Sequence, residues 1–473
     1  MNQLPQKLSI SKKNNHIREL LFFSACLAAL TVKVYLFGFL YFPMLDDYIQ
    51  YDVYQMFPPA YIFKQAGTIY TRPLAALFDI YIWGPLWPHL NIALAILTCL
   101  HFLSGLLLYD GFRRLHQPVG SLFFVIYFLF PLHFEGVYWV SAATRVVCGM
   151  LFAALSFWCV TLYLNRQSNW MLILFGVFGL FACGFYEQAA ITAALLAVYA
   201  AAVSHKWKLL WIPAAYLAVT AVYYFAFSHS GNLSGRVSPG LSLIAIAQEA
   251  VRVVKIFTVG TFQMIKNGVV KGVHLYANMP VMAAITLVLS ALLAWGLPHS
   301  KARAPRRFLF GLLFAALPLA PFFLLKNSYT ALRNTFFSCI GIALIFDMLP
   351  RKKVVCFVTA LIFMAVSACE LDQYRQVYET DRVICQRIVQ SGLIEPHKSY
   401  YLIGAKPCYV EANWSHAEHL KNVTSSDWAL TGAVRSYAND KDIQLIVPVE
   451  DAALATNPDY IRLYMDDSFH IFQ

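Results

Sequence analysis

Charge is what this chain has least of. Asp, Glu, Lys and Arg make up 13% of its 473 residues, against about 25% in soluble domains. With 59% hydrophobic residues and a mean hydropathy of +0.57, it cannot keep its surface in water, and a polytopic membrane protein is expected. Other absences narrow the chemistry. The ten cysteines include no C-x-x-C pair, which removes the usual zinc spacings. There is no Gly-rich phosphate loop, no internal repeat and no low-complexity run, so nothing points to nucleotide-driven chemistry. The net charge of +11 does not indicate a nucleic-acid partner, because the basic residues fall in short loops between apolar runs.

What is present is a series of those runs. A span needs about 20 apolar residues. Runs near 20–42, 89–109, 118–134, 139–163, 169–185, 188–204, 208–228, 278–297, 308–325, 335–349 and 354–370 predict an all-α polytopic bundle of about eleven transmembrane helices. The first run lacks a clear cleavage site and reads as an uncleaved helix. Segments 1–19, 110–117, 165–168, 204–208, 298–307 and 350–353 together hold 16 Lys/Arg. The positive-inside rule therefore puts the N-terminal segment 1–19 in the cytoplasm and the C-terminal tail outside. Residues 241–262 are apolar, but Gln248, Arg252 and Lys255 form one polar stripe, which predicts an interfacial helix rather than a span.

The outer loop 43–88 is rich in aromatics and proline and predicts short interfacial helices. Residues 20–370 form the transmembrane unit. Residues 371–473 carry 9 Lys/Arg against 14 Asp/Glu and predict a small extracytoplasmic α/β or α+β domain. Its helix is expected over 374–390 and its strands at 400–403, 443–447 and 468–472. Cys385 and Cys408 can form a disulfide there if the compartment is oxidising.

Residues 1–370 hold only 11 acids. Seven fall on the outer side by this topology: Asp46, Asp47, Asp52, Asp79, Glu135, Glu187 and Glu249. Arg72, Arg145, Lys326 and Arg333 lie on the same side. Carboxylates and arginines gathered at one lipid–water boundary suit a lipid-linked, phosphate-bearing substrate. A carboxylate there can deprotonate a sugar hydroxyl, and arginines can grip a leaving phosphate.

These residues resemble the GT-C class of integral-membrane glycosyltransferases. Asp46-Asp47 matches the acidic motif that this class carries just after its first helix. Tyr70-Thr71-Arg72-Pro73-Leu74 is similar to a segment of bacterial O-antigen glucosyltransferases. Pro131-Leu132-His133-Phe134-Glu135-Gly136-Val137 and Tyr186-Glu187-Gln188 are similar to loop motifs of O-mannosyltransferases. Arg145 falls about two residues beyond the arginine of that pattern, and Tyr186 replaces its lysine. The likeness covers roughly residues 20–205.

The resemblance implies transfer of a sugar from a polyprenyl-phosphate donor to a glycan or lipid-linked glycan, such as an O-antigen repeat, at the outer face of a bacterial inner membrane. Asp46 or Asp47 would be the base. Arg72, Arg333, Arg145 and Lys326 would hold the donor phosphate, and Tyr70, His133, Glu135 and Glu187 would contact substrate. A divalent cation (Mg or Mn) bridging Asp46 and Asp47 is allowed by the class.

Plainer readings stand beside each role. Asp46 and Asp47 would be a solvated helix end. Arg72 would be an interface anchor, His133 and Glu135 a satisfied polar pair, Glu187 a helix cap and Arg333 a loop charge. Lys33, inside the first run, reads as a snorkelling lysine or an ion-pair partner. Rival functions are an O-antigen polymerase or ligase, whose chemistry sits in a late loop; a lipid or glycan transporter, which needs broken polar helices at mid-membrane; and a scaffold acting through its tail.

Overall fold

The computed structural model describes residues 4–66, 68–227, 242–297, 305–324, 329–349, 353–411 and 418–473. Among them, seven helices are long and apolar enough to cross a bilayer: Leu90–Arg114, Ser121–Tyr138, Val140–Arg166, Glu187–Ser204, Trp207–Phe227, Pro305–Phe323 and Lys353–Gln390. They fit a multi-pass membrane protein. The expected count of about eleven is not reached. Asn169–Phe185 and Pro280–Trp295 are apolar but shorter, Cys339–Phe346 has eight residues, and Leu4–Tyr35 carries Arg18, Glu19 and Lys33.

Lys33 neither snorkels nor pairs with an acid. It is buried, donates to the Phe128 carbonyl (2.9 Å) and meets His133 Nε2 at 3.3 Å.

The polar stripe at 241–262 belongs to a longer element. Leu243–Lys255, a π-helical turn Ile256–Gly260 and Thr261–Ala277 follow one another without a break. Glu249 ties its start to the Thr330 amide (2.9 Å). Its far half lies against Lys353–Gln390 through Gly268 and Gly272. A Cβ on Gly272 would stand 2.0 Å from the Ala365 carbonyl oxygen, so only glycine allows this approach.

The helix expected over 374–390 is the outer part of Lys353–Gln390, and the expected boundary at 370/371 falls inside it. Beyond it lie β1 (Tyr400–Ile403), β2 (Ile446–Val449), β3 (Ile461–Met465) and β4 (Ile471–Phe472), in the order β2-β1-β3-β4. β1 runs parallel to β2 and β3, and β4 is antiparallel to β3. Helix Asp427–Ala438 makes the crossover from β1 to β2. β3, which the sequence reading passed over, alternates Ile461, Leu463 and Met465 on one face.

One apolar core joins this sheet to the bundle. Met44, Tyr48, Trp139, Tyr374, Leu402 and Leu430 belong to the same cluster. Cys385 is buried in it while Cys408 is exposed, and both are free, so the two do not form a disulfide. The sequence holds three Asn-x-Ser/Thr triplets, at Asn232, Asn413 and Asn422, and the first two lie outside the described residues. Asn422 is buried and bonded to Asp381 (2.7 Å).

Candidate functional site

The two neighbouring aspartates have different surroundings. Asp47 is 0% exposed. Its Oδ2 accepts from the Tyr41 hydroxyl (2.5 Å) and the Met44 amide (3.1 Å), and its Oδ1 accepts from the Ser141 amide (3.0 Å). Three donors on two oxygens make it a structural tie between the loop after the first helix and the start of Val140–Arg166. Burial pushes its carboxyl up to about 7, against the pull of those hydrogen bonds.

Asp46 is partly exposed. Among the described residues its hydrogen-bond contact is Ser141 Oγ at 3.5 Å, and no arginine or lysine reaches ion-pair distance. Burial raises its carboxyl above the ordinary value, while Arg333 and Arg145 pull it down. A raised carboxylate with open lone pairs is chemically competent as a base.

Around Asp46 the arginines are already matched. Arg145 Nη2 meets Asp79 Oδ2 at 3.1 Å, and Asp79 also accepts from Tyr51 (3.2 Å). Arg72 grips Glu187 with two nitrogens, Nη2 to Oε1 (2.9 Å) and Nε to Oε2 (3.1 Å), and lies 4.3 Å over the Tyr186 ring. Arg333 pairs with Glu418 from the tail through one nitrogen and lies 5.2 Å over the Trp139 ring. Arg252, on the helix Leu243–Lys255, meets Glu249 (3.3 Å) and lies 4.5 Å over Tyr329. These sites are contiguous. The Tyr186 hydroxyl accepts from the side-chain amide of Asn334 (2.6 Å), the residue after Arg333, and Gln188 donates to the Asn334 carbonyl (2.9 Å).

The structure therefore brings Asp46, Arg145 and Arg333 together and joins Arg72 and Glu187 to them through Tyr186 and Asn334. Other expected residues do not line this opening. His133 is sealed in the core, with Nε2 on Lys33 (3.3 Å) and Nδ1 on Cys339 Sγ (3.1 Å); Phe336 and His101 flank its ring, so it cannot contact substrate. Glu135 is taken by the tail. Its Oε1 accepts the Glu418 amide (2.8 Å) and faces His419 Nδ1 (3.2 Å). Tyr70 closes the turn Thr68–Tyr70, which Tyr223 pins by donating to the Ile69 carbonyl (2.6 Å). Glu187 is the first residue of its helix, whose N-cap is Tyr186 with no side-chain cap bond, and it is held by Arg72. Lys326 lies outside the described residues.

Sequence reasoning missed Glu418 and His419. No spacing signals them, since 283 residues separate Glu418 from Glu135. It also passed over Arg252, which it read only as part of a polar stripe.

A divalent cation on Asp46 and Asp47 does not fit. Both Asp47 oxygens are occupied by donors, and two arginines already bear on Asp46. Among the described residues no group of three or more His, Cys, Asp or Glu could hold a metal ion.

A second feature lies within the bundle. An apolar cavity of about 810 Å³ lies between the helices Leu243–Lys255, Pro305–Ala316, Cys339–Phe346 and Lys353–Gln390. Its walls include Phe130, Val253, Phe257, Phe323 and Phe363. Its lining runs from Leu122, Leu349 and Val355 to Phe130, Val253 and Phe323. The chain matches no family model, no curated protein and no solved structure in any of the three comparisons made.

Proposed function

We propose that the protein is a membrane glycosyltransferase of the GT-C type. It would take a sugar from a polyprenyl-phosphate donor and pass it to a hydroxyl of a glycan or lipid-linked glycan. The observation that carries this reading is the placement of Asp46. It is a carboxylate with no ion-pair partner among the described residues, and it lies within the field of Arg333 and Arg145; an apolar cavity of about 810 Å³ runs between the helices of the same bundle.

The chemistry follows from the atoms. The polyprenyl chain occupies the apolar cavity, and its phosphate sits against Arg333. Arg333 suits this role better than Arg72. It spends one nitrogen on Glu418, whereas the fork of Arg72 is closed on both oxygens of Glu187. Asp46 takes the proton of the acceptor hydroxyl. The acceptor oxygen forms a bond to the anomeric carbon as the bond from that carbon to the phosphate oxygen breaks. The configuration inverts, the proton stays on Asp46, and the polyprenyl phosphate leaves with its charge on Arg333. A partly exposed carboxylate with a raised pKa suits this step.

In this reading about eleven segments cross the membrane. The N-terminus is cytoplasmic, and the aspartate end and the tail face the outside of a bacterial inner membrane. The finer topology rests on the Lys/Arg of the short loops.

The test is turnover of a polyprenyl-phosphate sugar by purified protein. Asp46→Asn should lower transfer by about 10²–10⁴-fold while leaving the melting temperature unchanged. Wild-type turnover in that variant would remove Asp46 from the mechanism.

A further inference from the structure

The tail meets the site at one buried cluster. His419 lies in the turn Glu418–Leu420 and is sealed from solvent. Its Nδ1 faces Glu135 Oε1 at 3.2 Å, and its Nε2 faces Glu370 Oε2 at 3.0 Å and Gln373 Oε1 at 3.3 Å. The ring stacks on Tyr374, centroids 4.7 Å apart and planes 9° from parallel. Both ring nitrogens point at oxygens that only accept. A neutral imidazole has one donor and would turn a lone pair towards a carboxylate, so this geometry calls for the imidazolium. Two buried carboxylates brought this close also need a cation between them. The Glu370 contact has ion-pair distance without hydrogen-bond alignment, so charge rather than a directed bond holds that side.

The consequence lies one residue away. The Glu418 amide donates to the same Glu135 oxygen (2.8 Å), as does the His419 amide (3.3 Å), and the Glu418 carboxylate meets Arg333. We propose that His419 is a positioning residue: its cation joins Glu135 to Glu370 and so holds Glu418 against Arg333, making the tail part of the site. This rests on the proposed function only where Arg333 is taken to hold a phosphate; the docking itself does not depend on it.

The charged and titratable groups around the ring are Glu135 from Ser121–Tyr138, Glu370 and Tyr374 from Lys353–Gln390, and Glu418 in its own turn, with Arg333 opposite Glu418. The two carboxylates outweigh burial and push His419 up to about 9. The sign follows. A cation raised above its ordinary value stabilises the docked turn fully below about 6.5, and this contribution is lost as pH rises through about 9.

The turn carries its own reporter. Lys421 is exposed and two residues past His419, and Lys398 is an exposed control elsewhere in the tail. In full-length protein in detergent, the ratio of tryptic cutting at Lys421 to that at Lys398 should rise more than about tenfold between pH 7.5 and 9.5. Glu370→Gln should move this rise to lower pH, and His419→Gln should give fast cutting at both pH values. A flat ratio in the wild type, or a Glu370→Gln rise at unchanged pH, overturns the proposal. An unchanged rate of cutting at Lys398 shows that each variant is folded. Polyprenyl-phosphate sugar turnover, run in parallel, should fall on the alkaline side with an apparent pKa of about 9. If no turnover is seen at any pH, the enzyme reading fails, and the proteolysis alone decides the docking. If turnover is seen with no alkaline limb and His419→Gln keeps the wild-type rate, the positioning role fails and the enzyme reading stands.

Discussion

Both ends of the bundle carry arginine–carboxylate pairs, and they do different things. At the end rich in Lys and Arg, Arg307 meets Asp347 at 2.6 Å with side chains 2% and 1% exposed. Arg307 also donates to the Pro118 carbonyl (3.3 Å), and Asp347 receives the Gly120 amide (3.1 Å). This pair ties three loops together in a place that no ligand reaches. At the aspartate end, Arg72 and Glu187 are 25% and 27% exposed, and Arg333 and Glu418 are 28% and 15% exposed. The chemistry of the pairs is alike. What differs is whether an incoming anion can take the place of the carboxylate. The sealed pair is a clamp, and the half-open pairs are exchangeable contacts.

Four substitutions sharpen or break that contrast. Arg307→Met strands a buried Asp347 and should destabilise the protein by about 3–5 kcal/mol. Thermal unfolding in detergent measures it, and adding Asp347→Leu should recover most of the loss. Arg333→Met should leave the unfolding free energy within about 1 kcal/mol of wild type and lower transfer by about 10²–10³-fold, the size of one lost charge-stabilising donor. If it unfolds the protein instead, the two ends are not different in kind. Asp47→Asn should cost about 1–3 kcal/mol of stability, because it disturbs a carboxylate that accepts three buried hydrogen bonds; this is the reverse of Asp46→Asn, which should keep stability and lose transfer. Arg72→Lys opens the two-pronged grip on Glu187 and should cost no more than about 1 kcal/mol at this exposure, with transfer little changed.

The sequence made parts of this legible. The long apolar runs located the membrane helices, because burial in lipid demands composition before geometry. Shorter helices such as Asn169–Phe185 and Cys339–Phe346 are apolar but fall below the length of a full span, so length alone does not count them. Strand β1 was read at its observed bounds from Tyr400-Tyr401-Leu402-Ile403, and β3 was overlooked although its alternation was visible. Asp46-Asp47 was recognisable as an unusual pair at a helix end. Which of the two is committed to structure was not, since that depends on the amide of Ser141, 94 residues away. His133 and Glu135 stood out together in one loop, yet one faces the core and the other the tail, because a short helical turn, Phe134–Tyr138, rotates successive side chains to different partners. Glu418 and His419 could not be read at all, since an isolated Glu-His pair in a polar tail has no periodicity to mark it.

Helix Lys353–Gln390 acts as a measuring rod. Its 38 residues span roughly 57 Å at 1.5 Å per residue, while a bilayer's apolar core is about 30 Å thick. About half of it must therefore stand clear of the lipid. Glu370 and Gln373 on this rod meet His419, and Asp381 further along it meets Asn422, so the height of the tail above the bundle is set by a count of residues rather than by a loop. Whatever reaches Asp46 from the tail side must match that height, and inserting or deleting residues between Gln373 and Asp381 would shift the tail along the rod by about 1.5 Å for each one.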